Sequence, residues 1–320
     1  MNSSGRKRHL LFLLKAAISG LLIYLVIDKT GLGDIAASFQ NLGGSLVIAL
    51  LFSFLFTFMK AIKWHVLVSR GGGPGPSTAD AVRSYFVGMM GGLLTPGRVG
   101  EIARTVFLEK HDRGLIAYLV AVDKLFDVTA VLWLALPGIY YYAHVPALAG
   151  ALLVLALLSL GIFFPQYPPR WLKNLLGHSG RLAGVRQRLD FIQGQLAAIS
   201  PGFKLKFLGL TLLCYATVIC QFFWLVENYH HCRLWMIAVS QPLIMLTNIL
   251  PVTIAGLGIR EGAAAALLSP FGVPQPAAIA SAFMLFLLNT AIPALIGALL
   301  ILVYRRSGYS AEEEKQVPGK

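Results

Sequence analysis

The amino-acid sequence predicts an all-α polytopic membrane protein with about six spanning helices and two broken helical hairpins. Of the 320 residues, 57% are hydrophobic and only 13% are charged, and the mean hydropathy is +0.71. Soluble domains carry about 25% charged residues, so a soluble enzyme of this size could not cover its surface with so few charges. The same composition argues against disordered, coiled-coil and disulfide-rich secreted proteins.

Six apolar segments are long enough for a spanning helix, which needs roughly 17–25 residues. The first segment follows Arg6, Lys7 and Arg8, as in a signal peptide, but no small-residue cleavage site follows it. We therefore expect this segment to be a retained span. The predicted spans are residues 10–27, 46–66, 115–140, 146–164, 206–226 and 277–304.

Basic residues near the span ends predict the orientation, because loops rich in Lys and Arg stay in the cytoplasm. The N-terminus, the segment 83–113, the loop 165–205 and the end of the last span all fall on one side. We therefore expect a multi-pass protein of the bacterial cytoplasmic (inner) membrane with both termini cytoplasmic. A single transmembrane domain would cover residues 1–307, and residues 308–320 would form a short cytoplasmic tail. The formal net charge of +13 then indicates contact with anionic lipid and not with nucleic acid.

Two further apolar stretches, about residues 79–108 and 235–269, are interrupted at their middles by Pro, Gly and charged residues. With the predicted orientation, the first stretch enters from the inside and the second from the outside. Paired broken helices of opposite orientation are typical of inverted-repeat transporters, whose site lies between them near the midplane. Pairs of short helices that cross fully would give the same orientation, so charge does not separate them from re-entrant hairpins. The predicted turn residues are Pro96, Gly97 and Gly100 in the first hairpin and Pro251, Gly256 and Gly258 in the second.

Each predicted turn is followed by an Arg and a Glu that open a second helical run. The N-terminus of such a half-helix presents unpaired N–H groups and a positive dipole end, which suits a phosphate. Arg98 and Arg260 would add full positive charge there, and Glu261 follows Arg260. Arg98, Glu101 and Arg104 share one helix face at three-residue spacing. The alternative interpretation is an interfacial cytoplasmic loop with solvated charges.

The predicted third span carries Asp123, Lys124 and Asp127 well inside its ends. A charge at a helix centre costs about 2.5–3.5 kcal/mol on insertion scales, so we do not expect these residues to face lipid. They could line a transport pathway, where a carboxylate could take up a proton, or they could form an internal salt-bridge cluster. Lys60 and Lys63 share a face near the inner end of the second span. There they could capture a lipid headgroup or simply snorkel to the interface.

We expect no metal and no cofactor. His230, His231 and Cys232 lie in a short predicted loop without further ligands, and three cysteines do not build a disulfide framework. The sequence has no nucleotide-binding loop, zinc-protease helix or serine-hydrolase elbow. No catalytic residue is therefore predicted.

These motifs resemble those of a known family, the flippase-like transmembrane region of bacterial lysylphosphatidylglycerol synthetases (the multiple peptide resistance factor). The matching pieces are residues 96–101 with Arg104, residues 123–127 and residues 251–261, in the same order and spacing. The resemblance covers essentially the whole chain and is to a stand-alone member without the synthetase domain, since only a short tail follows the last span. It implies translocation of a lipid without lipid synthesis. Phospholipids, polyprenyl-phosphate-linked sugars and hopanoids are the substrates linked to such relatives.

The first hypothesis for function is a lipid translocase, flippase-like or scramblase-like, in which the two hairpins form a groove for an anionic or phosphate-bearing lipid. The candidate protein partners are a membrane glycosyltransferase, a lipid-synthesis enzyme or a second copy of the chain. The alternatives are a membrane-embedded enzyme or accessory in polyprenyl-linked glycosyl transfer, and a structural scaffold. The residues expected to bind substrate are Arg98, Glu101, Arg104, Arg260, Glu261, Asp123, Lys124 and Asp127, with Lys60 and Lys63 as candidates for headgroup capture.

Overall fold

The structure is a computed structural model, and the regular elements in its described part are all helical. Most of the predicted spans 10–27 and 146–164 and most of the basic loop 165–205 lie outside the described residues, as does Pro251. The structure describes residues 24, 33, 43–70, 75–108, 111–142, 150, 153–157, 159, 199–247, 253 and 256–316.

The helices follow one another along the chain with short irregular turns between several of them. A 3-10 helix, Pro96–Phe107, follows α2, and a short 3-10 turn, Ser269–Phe271, follows α6. A π-turn, Leu287–Ala291, joins α7 to α8 without a break in the helical path. The α-helices are α1 Gly43–Val68, α2 Thr78–Leu94, α3 Arg113–Tyr142, α4 Pro201–Glu227, α5 Leu234–Thr247, α6 Ile259–Leu268, α7 Gln275–Phe286 and α8 Ile292–Gln316.

Three helical segments in the described part of the chain are long and apolar enough to cross a membrane. They are α1, α4 and the continuous run Gln275–Tyr304 through α7, the π-turn and α8. Each contains or overlaps one of the predicted spans, so the all-helical membrane protein predicted from the sequence is confirmed. The predicted span 115–140 lies within α3, a helix of 30 residues that also carries Asp123, Lys124 and Asp127.

The first interrupted segment forms a helical hairpin in which the 3-10 helix packs back along α2. The chain reverses at Thr95, whose hydroxyl donates to the Gly91 carbonyl at 2.8 Å and accepts from the Gly100 N–H at 2.6 Å. A Cβ atom added to Gly91 would lie 2.0 Å from the Gly100 carbonyl oxygen, and one added to Gly100 would lie 2.2 Å from the Gly91 oxygen. Gly100 therefore serves close packing, while the reversal itself falls just before Pro96.

Two more glycines of α2 leave room for charged side chains of the 3-10 helix. A Cβ at Gly88 would lie 2.5 Å from Cγ of Arg104, and a Cβ at Gly92 would lie 2.8 Å from Cγ of Glu101. The glycine-rich face of α2 thus sets where Arg104 and Glu101 can lie. A 3-10 run of 12 residues is unusual, because such helices rarely exceed three or four residues.

The second interrupted segment brings α5 against α6. α6 begins after Gly256 and Gly258, whose φ angles of 75° and 84° lie in the left-handed region that favours glycine. α6 in turn packs on α7. That the two hairpins are re-entrant and related by an inverted repeat stays a prediction.

The two hairpins are tied to the spanning helices by close backbone contacts. Gly297 of α8 meets the Phe86 carbonyl of α2, where an added Cβ would lie 2.1 Å from the oxygen. Gly138 of α3 meets the Val239 carbonyl of α5, with a corresponding distance of 2.0 Å. Each hairpin therefore packs directly against a long helix, and residues of α1, α3, α4 and α7 line the space between them.

We expect Gly91→Ala to destabilise the first hairpin, because its new methyl group would overlap the Gly100 carbonyl oxygen. Overpacking of this kind costs about 1–3 kcal/mol, which should lower the unfolding temperature of the purified protein in detergent. Gly209→Ala in α4 is the matched control, since nothing lies within 4 Å of the added Cβ. Equal unfolding temperatures for the two variants would contradict the packing described for α2 and the 3-10 helix.

Candidate functional site

A cavity of about 320 Å³ lies between the two hairpins and the long helices. This volume falls at the lower end of the range for small-ligand sites, which is roughly 300–1,000 Å³. Both interrupted segments contribute to its lining, with Arg98 and Arg104 from the 3-10 helix and Arg260 from α6. Lys60 of α1 and Lys124 of α3 also line it.

Asp127 of α3 lines the cavity and pairs with two lysines of α1, of which Lys60 also lines it. Nζ of Lys60 and Nζ of Lys63 each lie 2.6 Å from a carboxylate oxygen of Asp127. Lys63 also lies 2.9 Å from Asp123, one turn earlier on α3. All four side chains are less than a tenth exposed. The lysines do not snorkel outward here; they are buried counter-charges.

The 3-10 helix extends this set of ion pairs. Arg104 bridges two carboxylates, with Nη2 at 2.8 Å from Glu101 and Nη1 at 3.2 Å from Asp123. Oε1 of Glu101 also lies 2.7 Å from Nζ of Lys124 and 3.0 Å from Nε of Arg98. Eight charged side chains therefore form one connected set, which we call the ionic network: Lys60, Lys63, Arg98, Glu101, Arg104, Asp123, Lys124 and Asp127.

The ionic network holds five cations but only three carboxylates. Charges taken out of water are costly unless they are paired, and the three carboxylates are already shared among the five cations. The cavity wall therefore carries an excess of positive charge. A bound anion would offset that excess.

Two cations of the ionic network lie over the faces of aromatic rings. The guanidinium of Arg104 lies 4.2 Å from the ring centroid of Trp64, and the indole N–H of Trp64 donates to Ser84 at 2.8 Å. Nζ of Lys60 lies 5.3 Å from the ring centroid of Tyr215. A cation over an aromatic face is attracted electrostatically by the ring, although the ring carries no net charge. These contacts therefore stabilise the positions of Arg104 and Lys60 without compensating their positive charges.

Arg98 differs from the rest of the ionic network in backbone and in exposure. Its φ angle is +59°, which is uncommon for a residue other than glycine, and its N–H donates to the Thr95 carbonyl at 3.2 Å. Its side chain is 35% exposed, against 1% for Arg104. Strained backbone of this kind often accompanies functional positions, and Arg98 combines the strain with a guanidinium at the cavity wall.

The second hairpin supplies Arg260, which is 5% exposed. Its guanidinium pairs with the neighbouring Glu261 and lies 4.6 Å from the ring centroid of Phe286. Glu261 also accepts from the Gly258 N–H at 2.7 Å, so its carboxylate occupies the N-terminus of α6. The anion at this helix end is thus the chain's own, and Arg260 is the group that reaches the cavity wall.

Of the site residues predicted from the sequence, six line this cavity: Lys60, Arg98, Arg104, Lys124, Asp127 and Arg260. The other four are buried beside it as their ion-pair partners: Lys63, Glu101, Asp123 and Glu261. Sequence reasoning missed the pairing of Lys60 and Lys63 with Asp127 and Asp123, although lysines three apart and aspartates four apart on two predicted spans were a usable signal. It also missed the uncharged members of the wall. These are chiefly Tyr85, Tyr215, Gln241 and Asn289.

We expect Asp127→Asn to destabilise the fold strongly, because Lys60 and Lys63 would lose their shared carboxylate while staying buried. Removing one partner of a buried pair costs about 3–5 kcal/mol, which should appear as a large fall in unfolding temperature. Asp80→Asn is the control, since its ion pair with Arg83 is exposed and such pairs contribute less than about 1 kcal/mol. A small effect of Asp127→Asn, similar to that of the control, would mean that the buried pairs do not form.

Comparison with known proteins shows the family of this chain. The family model described as the lysylphosphatidylglycerol synthase TM region matches residues 12–297. No curated protein and no solved structure matches the chain. The matched region includes the ionic network and both hairpins. The match covers most of the chain, so this chain belongs to the family of the lysylphosphatidylglycerol synthase TM region, a membrane domain linked to lipid function.

Proposed function

We propose that this protein moves an anionic or phosphate-bearing lipid, a phospholipid or a polyprenyl-phosphate-linked lipid, between the two leaflets of the membrane. The observation that carries the proposal is the excess of cations over carboxylates at the wall of the cavity. In this proposal the headgroup passes through the cavity while the lipid tails stay in the membrane. The family supplies independent support, since it is a membrane domain linked to lipid function.

The cations at the wall are suited to phosphate oxygens. Charge-assisted hydrogen bonds to phosphate are about twice as strong as neutral ones, and arginine can donate two in parallel. Arg98 and Lys124 are each about one-third exposed, so they can reach an incoming headgroup. Arg104 is fully buried beneath them and adds charge from below.

Glu101 gives the site a way to exchange counter-charges. Glu101 forms ion pairs with Arg98, Arg104 and Lys124. If Arg98 leaves Glu101 to bind a phosphate, Glu101 keeps its ion pairs with the other two cations. This exchange of partners therefore leaves no buried charge of the ionic network without a counter-charge. One of the carboxylates could also take up a proton during the cycle, and an imposed pH gradient would change the rate if it does.

The surface beside Arg98 is suited to a lipid and not to a soluble phosphate. Leu94, Val99 and Ile102 are 63%, 73% and 45% exposed, and they lie on the hairpin that carries Arg98. In a membrane these side chains would contact acyl or prenyl chains. An amphipathic ligand would thus meet cations and apolar groups on the same hairpin.

Orientation is part of the proposal: an inner-membrane protein whose two re-entrant hairpins enter from opposite faces, with both termini in the cytoplasm. His231 lies in the turn between α4 and α5, with its side chain 92% exposed. Burial raises the pKa of the neighbouring Cys232 thiol to about 12, so that thiol stays protonated and reacts slowly.

We expect His231→Cys to react with a membrane-impermeant maleimide in cells whose inner membrane is intact, and Ala311→Cys near the C-terminus to react only after that membrane is opened. The unsubstituted chain measures the background from native cysteines. The reverse labelling pattern would contradict the proposed orientation.

We expect the double substitution Arg98→Ala and Arg260→Ala to slow lipid movement by at least about tenfold. Each substitution removes a charge-assisted hydrogen bond to the headgroup, worth roughly 1.5–3 kcal/mol. The measurement uses liposomes containing the purified full chain and tail-labelled fluorescent lipids, scored by an impermeant quencher. Arg83→Ala is the control, since this arginine is exposed and outside the cavity.

Unchanged lipid movement in the double variant, from protein with the unfolding temperature of the control, would contradict the assignment of these arginines. The same liposomes test the proposal of transport without catalysis. A lipid product of altered mass would favour the alternative, an enzyme or accessory of polyprenyl-linked glycosyl transfer.

A further inference from the structure

Four aromatic rings meet where α3 ends, and we call them the aromatic cluster: Tyr141, Tyr142, Trp235 and Phe271. The two tyrosines end α3, Trp235 lies in the first turn of α5, and Phe271 ends the 3-10 turn that follows α6. The ring centroids of Tyr141, Trp235 and Phe271 lie 5.5–5.8 Å from one another, within the usual range for aromatic pairs. The aromatic cluster therefore joins the end of a long helix to the beginning and the end of the second hairpin.

The hydroxyl of Tyr142 strengthens this junction. It donates to the Leu267 carbonyl in the last turn of α6 and lies 2.8 Å from Oγ of Ser240 on α5. The last carbonyls of a helix have no partner within the helix, and the carbonyl of Leu267 is one of them. A single side chain of α3 thus contacts both arms of the second hairpin.

The aromatic cluster lies where the chain changes from polar to apolar. The turn before α5 carries His231, whose side chain is 92% exposed, and the exposed Arg233. α5 itself has no charged residue. Tyr141 and Trp235 are 46% and 44% exposed at this boundary. Tyrosine and tryptophan side chains, which have an apolar body and a polar tip, are enriched at the membrane–water interface.

The lengths of the two arms fit a hairpin that is held at one face of the membrane. α5 has 14 residues and α6 has 10, so at a rise of about 1.5 Å per residue they are about 21 and about 15 Å long. The hydrocarbon core of a bilayer is about 30 Å thick, so neither arm is long enough to reach the opposite face from the aromatic cluster. The spanning run Gln275–Tyr304 begins four residues after Phe271, which agrees with a position of this ring at the interface.

We propose that the aromatic cluster binds the headgroup region of the membrane, on the side of the turn between α4 and α5, and that it anchors both ends of the second hairpin at that face. The partner is the lipid surface itself and not a translocated lipid, so the inference goes beyond the proposed function and does not depend on it. The anchor sets the depth of Arg260. This arginine lies in the first turn of α6, so it is held at most about 15 Å from that face, roughly half of the hydrocarbon thickness.

The depth of Trp235 in the membrane tests the anchor. The full chain is reconstituted in bilayers of phosphatidylcholine with bromine atoms placed either near the headgroup or near the ends of the acyl chains, and tryptophan fluorescence is measured. The emission lost in Trp235→Phe, which keeps an aromatic ring, is that of Trp235. We expect the shallow bromines to quench it at least about twofold more than the deep ones, because interfacial rings lie at the level of the headgroups.

Phe54→Trp is the control for depth. Phe54 lies near the middle of α1 and is 73% exposed, so the emission that this variant adds should be quenched more by the deep bromines. Equal or stronger quenching of Trp235 by the deep bromines would overturn the anchor. Emission of Trp235 that only an aqueous quencher reaches, or that no quencher reaches, would overturn it too. None of these outcomes depends on lipid movement, so the anchor and the proposed function can fail separately.

The junction between α3 and the second hairpin has its own test. We expect Tyr142→Phe to lower the unfolding temperature by about 2–4 °C, because α3 loses its hydrogen bond to α6. Tyr140→Phe is the matched control, since Tyr140 is 89% exposed. Equal unfolding temperatures for the two variants would overturn the claim that α3 holds both ends of the hairpin at one face.

Discussion

The buried ion pairs of Asp127 with Lys60 and Lys63 are the constraint on which the rest of this structure depends. They join α3 to α1 at a depth where an unpaired charge would be very unfavourable. Asp123, one turn away on α3, forms an ion pair with Arg104 and so joins α3 to the 3-10 helix. The first hairpin is thereby fixed on the long helices by charge, and the glycines of α2 let it come close enough for those contacts to form.

The same constraint explains why the cavity is cationic. Three carboxylates are enough to hold the hairpin, but five cations surround them, so structure and surplus charge come from one set of residues. Arg98 is the accessible part of this excess positive charge, with its side chain 35% exposed. Its backbone is strained, and exposed apolar side chains lie beside it. The second hairpin contributes Arg260 and the uncharged amide of Gln241 to the lining of the same cavity.

Much of the fold could be predicted because membrane insertion constrains sequence strongly. Apolar length indicated α1, α4 and the run through α7 and α8, and the cost of charge in lipid indicated that Asp123 and Asp127 face inward. The 3-10 geometry after Pro96 could not be predicted, because it depends on contacts of the chain with Gly91 that exist only in the folded hairpin. The ion-pair partners of Lys60 and Lys63 could not be predicted either, because they lie on another helix, α3, and meet the lysines only in the folded protein. Gln241 and Asn289 were missed because a single amide in an apolar run gives no periodic signal.

The most direct test of the central claim, that a lipid headgroup occupies the cationic cavity, is photo-crosslinking in the membrane. A phosphatidylglycerol with a diazirine in its headgroup would be activated with the full chain in liposomes, and the labelled residues mapped by mass spectrometry. The account predicts adducts at cavity residues such as Met89 and Val131, reduced by an excess of unlabelled phosphatidylglycerol. Adducts confined to outward-facing residues such as Phe54, which is 73% exposed, would contradict it.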